Sequence, residues 1–319
     1  MKPVPNTGFA PFRMASHTQY DMKLLITPSN PKYLLALYDV ESKEMRTIKA
    51  LKKHEDRKSD DSRPTIRPFG ITWDSDNLFV ANRANLIVLD KNYKTVEVVK
   101  GILDQNTHQI AYKDNTLLAT MTRKDCVSFT DLDSWETRYF HPYLGWLNDK
   151  PKDLLYYEER YHINSVVWKG DLVYIMLNNR GQEESRVAVL DMRTGLTEWI
   201  VELDAIKAHN ILVCEDGIGT LDTGGRRSLL IKDLSYCLYT SESSFCRGMA
   251  GSRDLLFCGH FKKCQAVHRG EGGSMVSILK RGEPNESRFI EGIGAINDMR
   301  LVDMEDHCHW NECEYPAAV

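Results

Sequence analysis

The chain has 319 residues, of which 42% are hydrophobic and 27% charged; this is the composition of a globular protein with a sizeable core, not of a disordered or fibrous one. With 41 basic against 45 acidic side chains and a formal charge of -4, and no stripe of Lys and Arg interleaved with aromatics, nucleic acid is excluded as an expected partner. No apolar run approaches the roughly 18 residues needed to span a bilayer, and Met1 to Tyr20 lacks the regions of a secretion signal, so no membrane association and a cytoplasmic location are expected, with the 8 cysteines read as free thiols.

After an N-terminal tail, 1–20, come three strand-like runs: Met22 to Thr27, Tyr33 to Val40 and Glu44 to Ile48. The stretch from Leu51 to Ile66 is a dense charge run poor in strand formers and reads as a solvated loop. A strand-turn-strand unit then recurs at Arg67 to Val80, Asn106 to Ala119, His162 to Tyr174, Ala208 to Thr220, Phe245 to Cys258 and Ala295 to Met304. Ile71, Ile110, Val166, Leu212, Met249 and Met299 share one column of this repeat, at spacings of 39, 56, 46, 37 and 50 residues. Each interval has room for a four-stranded meander, the period of propeller blades.

Two further strand-like runs follow each of the first five units, whereas the sixth is followed only by a tail, 305–319. The three N-terminal runs supply what the sixth lacks. The predicted fold is therefore all-β, a six-bladed β-propeller forming a single domain over 1–319, closed by pairing of N-terminal and C-terminal strands in one blade. A seven-bladed ring would need 51–66 as part of a blade. The long connection Tyr143 to Tyr161, with Trp146, Tyr156 and Tyr157, reads as a loop that covers one face.

Inner strands of a propeller begin around the mouth of its channel, so the residues just before the shared column form the candidate site. Two positions before it stand Phe69, His108, Asn164, Asn210, Arg247 and Asn297, flanked by Arg67, His162, His209, Cys246 and Asp298. His108, His162 and His209 are the candidate metal ligands, because three neutral imidazoles with one open position suit a divalent ion such as Zn, Mn, Fe or Ca. Asn164, Asn210 and Asn297 are the candidate substrate-binding groups, with Asp298 supplying a carboxylate; the competing reading has each Asn bonding its own strand-start backbone. Arg247 and Arg67 suit a carboxylate or phosphate on the ligand.

Two further groups, Cys258, His260, Cys264 and His268 and then His307, Cys308, His309 and Cys313, do not match structural zinc spacings and read as incidental. The second group follows the closing strand closely enough for the tail to fold over a channel mouth.

The segments RPFGITWDSDNLFVAN (Arg67 to Asn82) and HINSVVWKGDLVYIM (His162 to Met176) resemble the repeat unit of NHL-repeat and gluconolactonase-like six-bladed propellers. The resemblance implies metal-dependent chemistry at the channel, with His108, His162 and His209 matching by position the three channel histidines of a lyase in that superfamily. The expected function is a metal-dependent hydrolase or lyase acting on a small polar, anionic substrate, with Arg247, Asp298 and Arg67 in catalytic roles. The alternative is a non-catalytic propeller that binds a ligand or a protein partner.

Overall fold

The computed structural model describes residues 22–50, 68–148, 160–215, 217–224, 230–231, 244–252, 254–262, 268–280 and 283–316. Its strands, in chain order, are β1 (Lys23–Pro28), β2 (Tyr33–Asp39), β3 (Met45–Ala50), β4 (Pro68–Trp73), β5 (Asn77–Asn82), β6 (Asn85–Asp90), β7 (Thr95–Lys100) and β8 (Ile110–Lys113). They continue with β9 (Thr116–Met121), β10 (Cys126–Asp131), β11 (Thr137–His141), β12 (Gly145–Leu147), β13 (Ser165–Lys169), β14 (Leu172–Leu177), β15 (Arg186–Asp191) and β16 (Leu196–Glu202). The last are β17 (Ala208–Cys214), β18 (Gly217–Asp222), β19 (Leu230–Ile231), β20 (Ser244–Gly251), β21 (Leu255–Lys262), β22 (Ser274–Lys280), β23 (Glu286–Ile290) and β24 (Ile296–Leu301).

The fold is an all-β propeller. Its strands pair antiparallel in the orders β24-β1-β2-β3, β4-β5-β6-β7, β8-β9-β10-β11-β12, β13-β14-β15-β16, β17-β18-β19 and β20-β21-β22-β23. Five of these sheets have four or five strands, and the sheet of β17 has three among the described residues. The sheet of β1 joins the chain ends: Leu24 faces Leu301 and Ile26 faces Met299 across the β1–β24 pair.

Local chemistry explains the meanders. The third strand of four sheets ends in an aspartate, at Asp39, Asp90, Asp131 and Asp191, whose Oδ1 accepts from main-chain N–H groups of the following turn: Glu41, Asn92, Asp133 and Arg193. Each turn then passes a residue of positive φ, Lys43, Tyr93, Trp135 or Gly195, whose N–H returns to the carbonyl of the same aspartate. Asp39 has the place of its three counterparts only if β24 counts as the first strand of its sheet, so the turn chemistry and the strand pairing give the same phase.

The innermost strands β4, β8, β13, β17, β20 and β24 each contact the next around a closed circle. The column residues Ile71, Ile110, Val166, Leu212, Met249 and Met299 sit on these strands with 0% exposure. Burial of such side chains stabilises by about 1.5–3 kcal/mol each. Close approach of the inner strands demands small residues at two points. A Cβ on Gly70 would lie 2.5 Å from the backbone nitrogen of Ile110, and Gly248 has φ +75° with a Cβ position 2.6 Å from Ile296 Cγ2.

The described part of the Tyr143 to Tyr161 connection contributes β12, which adds a fifth strand to the outer edge of its sheet. Trp146 drives this by packing on Phe129 and Phe140, at centroid distances of 5.0 and 5.3 Å, with the Arg138 guanidinium 4.0 Å above its ring. Tyr156 and Tyr157 lie outside the described residues. The C-terminal tail lies across the end of the channel where the inner strands finish: Trp310 Nε1 donates to Val213 O, Asn311 Nδ2 to Trp73 O, and the Gly251 N–H to Asp306 Oδ1. Among the described residues no helix is long and apolar enough to cross a membrane.

Candidate functional site

At the opposite end, where the inner strands begin, every sheet contributes to one small polar cavity. It is lined by Phe69, His108 with Gln109, Asn164 with Ser165, His209 with Asn210, Arg247, and Asn297 with Asp298. Its free volume is about 10 Å³, room for roughly one water-sized group. A ligand here would rest above the ring and insert a single atom group.

Irregular backbone brings these side chains together. Strand pairing slips just before the column in β4, β17 and β20, and again where β1 meets β24. In β17 the slip holds Asn210 at φ 60°, and in β20 it holds Gly248 at φ 75°; Asn and Gly are the residue types that tolerate this left-handed conformation. Thr27, Thr120 and Thr220 on the second strands secure the irregular backbone, with Thr120 Oγ1 accepting from the N–H groups of His108 and Gln109, and Thr220 Oγ1 donating to the carbonyls of His209 and Asn210. Thr27 Oγ1 donates across to Phe69 O at 2.5 Å.

His162 reaches the same mouth from outside its strand. It sits at φ 47°, and the carboxylate of Asp125 accepts from its N–H at 2.8 Å and from that of Tyr161 at 3.1 Å. A non-glycine residue held in this region stores strain, and such residues concentrate at functional sites. The imidazole of His108 lies 5.3 Å from that of His162 and 6.2 Å from that of His209, centroid to centroid, and is stacked on Phe69 at 5.2 Å.

The amide and carboxylate groups tie each sheet to the next. Asp298 Oδ2 accepts from Ile71 N at 3.1 Å, Gln109 Oε1 from Val166 N at 3.0 Å, and Asn210 Oδ1 from Gly248 N at 3.2 Å. Asn164 Nδ2 donates to Ala208 O and Asn297 Nδ2 to Pro68 O, so all three predicted asparagines bond the backbone of the following sheet and not their own turn. Asp298 pairs with Arg300 at 3.0 Å, both 1% exposed, and burial raises the Asp298 carboxyl to about 6 against the pull of Arg300. The Arg300 guanidinium also donates to Ile71 O and Ile110 O, holding three sheets at the axis.

The field at the mouth is positive. Burial, followed by the charge of Arg247, holds His108 and His209 well below the usual imidazole range and brings His162 to about 4. The further fixed charges acting on them, Arg269 for His108 and His209 and Arg180 for His162, are cations as well. Arg247 and Arg269 both approach the face of Phe245, at 5.1 and 5.3 Å. At neutral pH the mouth therefore presents three uncharged imidazoles among guanidinium groups, able to accept protons and to attract an anion.

A divalent ion fits this donor set poorly. Asn164 Nδ2 stands 3.0 Å from His209 Nδ1 while also donating to Ala208 O, and its Oδ1 accepts from Ser165 Oγ. The amide orientation is thus fixed as a donor toward Nδ1, which leaves the His209 proton on Nε2 and neither nitrogen free to ligate. Among the described residues no three His, Cys, Asp or Glu side chains are grouped as a metal site.

Of the predicted site residues, His108, Asn164, His209, Asn210, Arg247, Asn297 and Asp298 line the cavity, His162 stands against His108, and Arg67 lies outside the described residues. Gln109, Ser165 and Arg269 are additions that counting back from the column does not find. The cysteine and histidine groups take other places: Cys246, Cys258 and Cys308 pack with Cys214 in one apolar cluster, Cys246 Sγ lies 3.1 Å from His260 Nδ1, His268 meets Glu271, and His307 stacks on Trp310. Cys264 lies outside the described residues.

No protein-family model and no curated protein matches the sequence. Among solved structures, a chain of the nidogen/laminin complex aligns over 88% of this chain and 97% of its own at a TM-score of 0.57 and 11% identity. A protein of unknown function from Bacteroides caccae aligns over 88% and 99% at 0.54 and 8%. A streptogramin B lyase aligns over 71% and 70% at 0.47 and 10%. The first two likenesses, at 0.57 and 0.54, support the β-propeller fold and leave activity to the site.

Proposed function

We propose that this chain is a six-bladed propeller, the three-stranded sheet of β17 counted as a blade, whose channel mouth binds a small anionic molecule and takes a proton from it. The observation that carries this reading is electrostatic: three imidazoles kept neutral by burial stand among guanidinium groups at a point where every sheet contributes a side chain. Arg247 would hold a carboxylate or phosphate oxygen through charge-assisted hydrogen bonds. His108 and His162 would serve as general bases, an assignment suited to neutral imidazoles and to hydrolase or lyase chemistry on an anionic substrate. Asn164, Asn210, Asn297 and Asp298 keep the mouth in shape. Titration calorimetry of the full chain with inorganic phosphate and with citrate tests this: saturable binding to the wild type, lost in Arg247→Ala at unchanged melting temperature, supports it, and equal binding by both proteins removes it.

The expected divalent metal on His108, His162 and His209 would first have to displace the Asn164 amide from His209 Nδ1, and stoichiometric Zn, Mn, Fe or Ca in protein purified without chelator would favour it over the anion site. A protein-binding platform draws support from a different place. Tyr143, Leu144, Leu196 and Trp199 are 42%, 52%, 63% and 46% exposed and sit where Thr197 Oγ1 bonds Pro142 O, an apolar rim of the kind that protein partners cover.

A further inference from the structure

Of the three imidazoles at the mouth, His209 is the most deeply set, at 7% exposure, whereas His108 and His162 are partly exposed. Its two ring nitrogens are not equivalent. Asn164 Nδ2 stands 3.0 Å from Nδ1, and the amide cannot turn over, because Nδ2 also donates to Ala208 O at 2.9 Å while Oδ1 accepts from Ser165 Oγ at 3.2 Å. The hydroxyl is oriented in its turn: Ser165 Oγ accepts from the Asn210 N–H at 2.8 Å and keeps its own proton for Asn164 Oδ1. The donors Asn210 N–H, Ser165 O–H and Asn164 N–H thus run one way and end on a lone pair of His209 Nδ1.

Burial, with the charge of Arg247, keeps this ring neutral, and a neutral ring that accepts at Nδ1 carries its proton on Nε2. The Nε2–H makes no hydrogen bond among the described residues, yet it is not sealed in the core, since His209 lines the mouth cavity. It does not end on His108, because the two rings are stacked within 6° of parallel and the N–H lies in the ring plane. The free volume beside it, about 10 Å³, admits one atom group. A donor in the wall of so small a space selects an acceptor for that place, because any other group would leave the N–H unpaired.

We propose that His209 Nε2–H is the donor that receives an oxygen of the anion bound at the mouth, with Asn164 and Ser165 as positioning residues that keep the proton on that nitrogen. On the anion-site reading, on which this rests, Arg247 holds the charge and His209 selects the leading atom. A ligand that leads with an ammonium or a methyl group is refused.

The test uses the 15N-labelled full chain. Long-range 1H–15N correlation spectra distinguish the imidazole tautomers, and the His209 pattern is assigned by its loss in His209→Gln. The expected pattern has the proton on Nε2; a proton on Nδ1 in the wild type overturns the proposal. Asn164→Leu should abolish the single-tautomer pattern of His209, and an unchanged pattern overturns the positioning role of Asn164. Ala208 O keeps a bond from Asn178 Nδ2 at 2.8 Å in that variant, and the melting temperature checks its folding. Calorimetry with citrate supplies the second readout. His209→Met should weaken binding about tenfold, whereas His209→Gln, which retains an N–H donor, should stay within about threefold of the wild type. Binding that is lost in Arg247→Ala but equal in His209→Met and the wild type overturns the donor role and leaves the anion site standing. Absence of saturable binding to the wild type removes the anion site, and the donor role with it.

Discussion

The two ends of the channel are built from the same six inner strands and carry opposite chemistry. Where these strands begin, bulges and left-handed residues turn imidazoles and Arg247 inward under a cationic field. Where they finish, strand pairing runs without slips, the tail lies across the opening, and carboxylates line a cavity beside it. Local backbone irregularity, and not the repeat itself, therefore decides where functional groups can gather. One buried connection joins the ends: Asp298 at the mouth pairs with Arg300, and Arg300 touches His309 of the tail.

The largest expected effect comes from cutting that connection. Arg300→Leu leaves the Asp298 carboxylate buried without its partner, and should cost about 3–5 kcal/mol in urea unfolding, weakening both ends together. A loss below about 1 kcal/mol would mean that the pair is not the link between them. Gly248→Ala perturbs the mouth alone. The added methyl meets Ile296 in a left-handed backbone, and a cost of about 1–3 kcal/mol is expected by the same measurement.

Arg247→Ala should reduce phosphate or citrate affinity by about tenfold or more at unchanged melting temperature, as calorimetry checks. Because burial keeps His108 and His209 far below their usual range and His162 at about 4, no imidazole changes charge between pH 6 and 8, and affinity for sulfate, whose own charge is constant there, should weaken only as the Asp298 carboxyl, at about 6, ionises. A drop across pH 6.5 that persists in Asp298→Asn would assign the binding charge to an imidazolium.

Stability against pH distinguishes the ends less strongly. His141, His162 and His260 are lowered to about 4 by burial, and His108, His209 and His309 lie well below their usual range. A depressed folded-state value means that their contribution is present above about pH 6.5 and lost as pH falls toward 4. Asp298 and Asp306 are raised to about 6 by burial, so their contribution is present below about pH 4 and lost as pH rises through 6. With six imidazoles against two carboxyls, the melting temperature should fall on acidification from pH 7 to 4, and His162→Gln should flatten that slope slightly. A melting temperature that climbs over this range would contradict the burial of the imidazoles.

Much of this was legible in the sequence, for identifiable reasons. The apolar column from Ile71 to Met299 was readable because one fully buried position per sheet must be apolar whatever surrounds it. The ring two positions earlier was also readable, since every member from Phe69 to Asn297 lines the cavity. The uses of those residues were not, because bulges in β4, β17 and β20 shift which way each side chain points. Asn210, read as a ligand or a local cap, is an inter-sheet tie placed where the backbone needs φ 60°. Arg300 went unremarked, and His309 was read as incidental, because their partners, Asp298 apart, are backbone carbonyls from strands distant in the chain. The turn aspartates Asp39, Asp90, Asp131 and Asp191 were a usable signal, since each ends a third strand in the same way and fixes the phase of the repeat.

The most direct test of the cationic mouth is anomalous diffraction from crystals soaked in selenate, a tetrahedral anion that stands in for phosphate or sulfate. The account predicts a selenium peak at the mouth about 4 Å from the Arg247 guanidinium nitrogens, one Se–O bond beyond a hydrogen-bonded oxygen, absent in Arg247→Ala crystals. A peak confined to other surfaces, or an equal peak at the mouth in the variant, would contradict it.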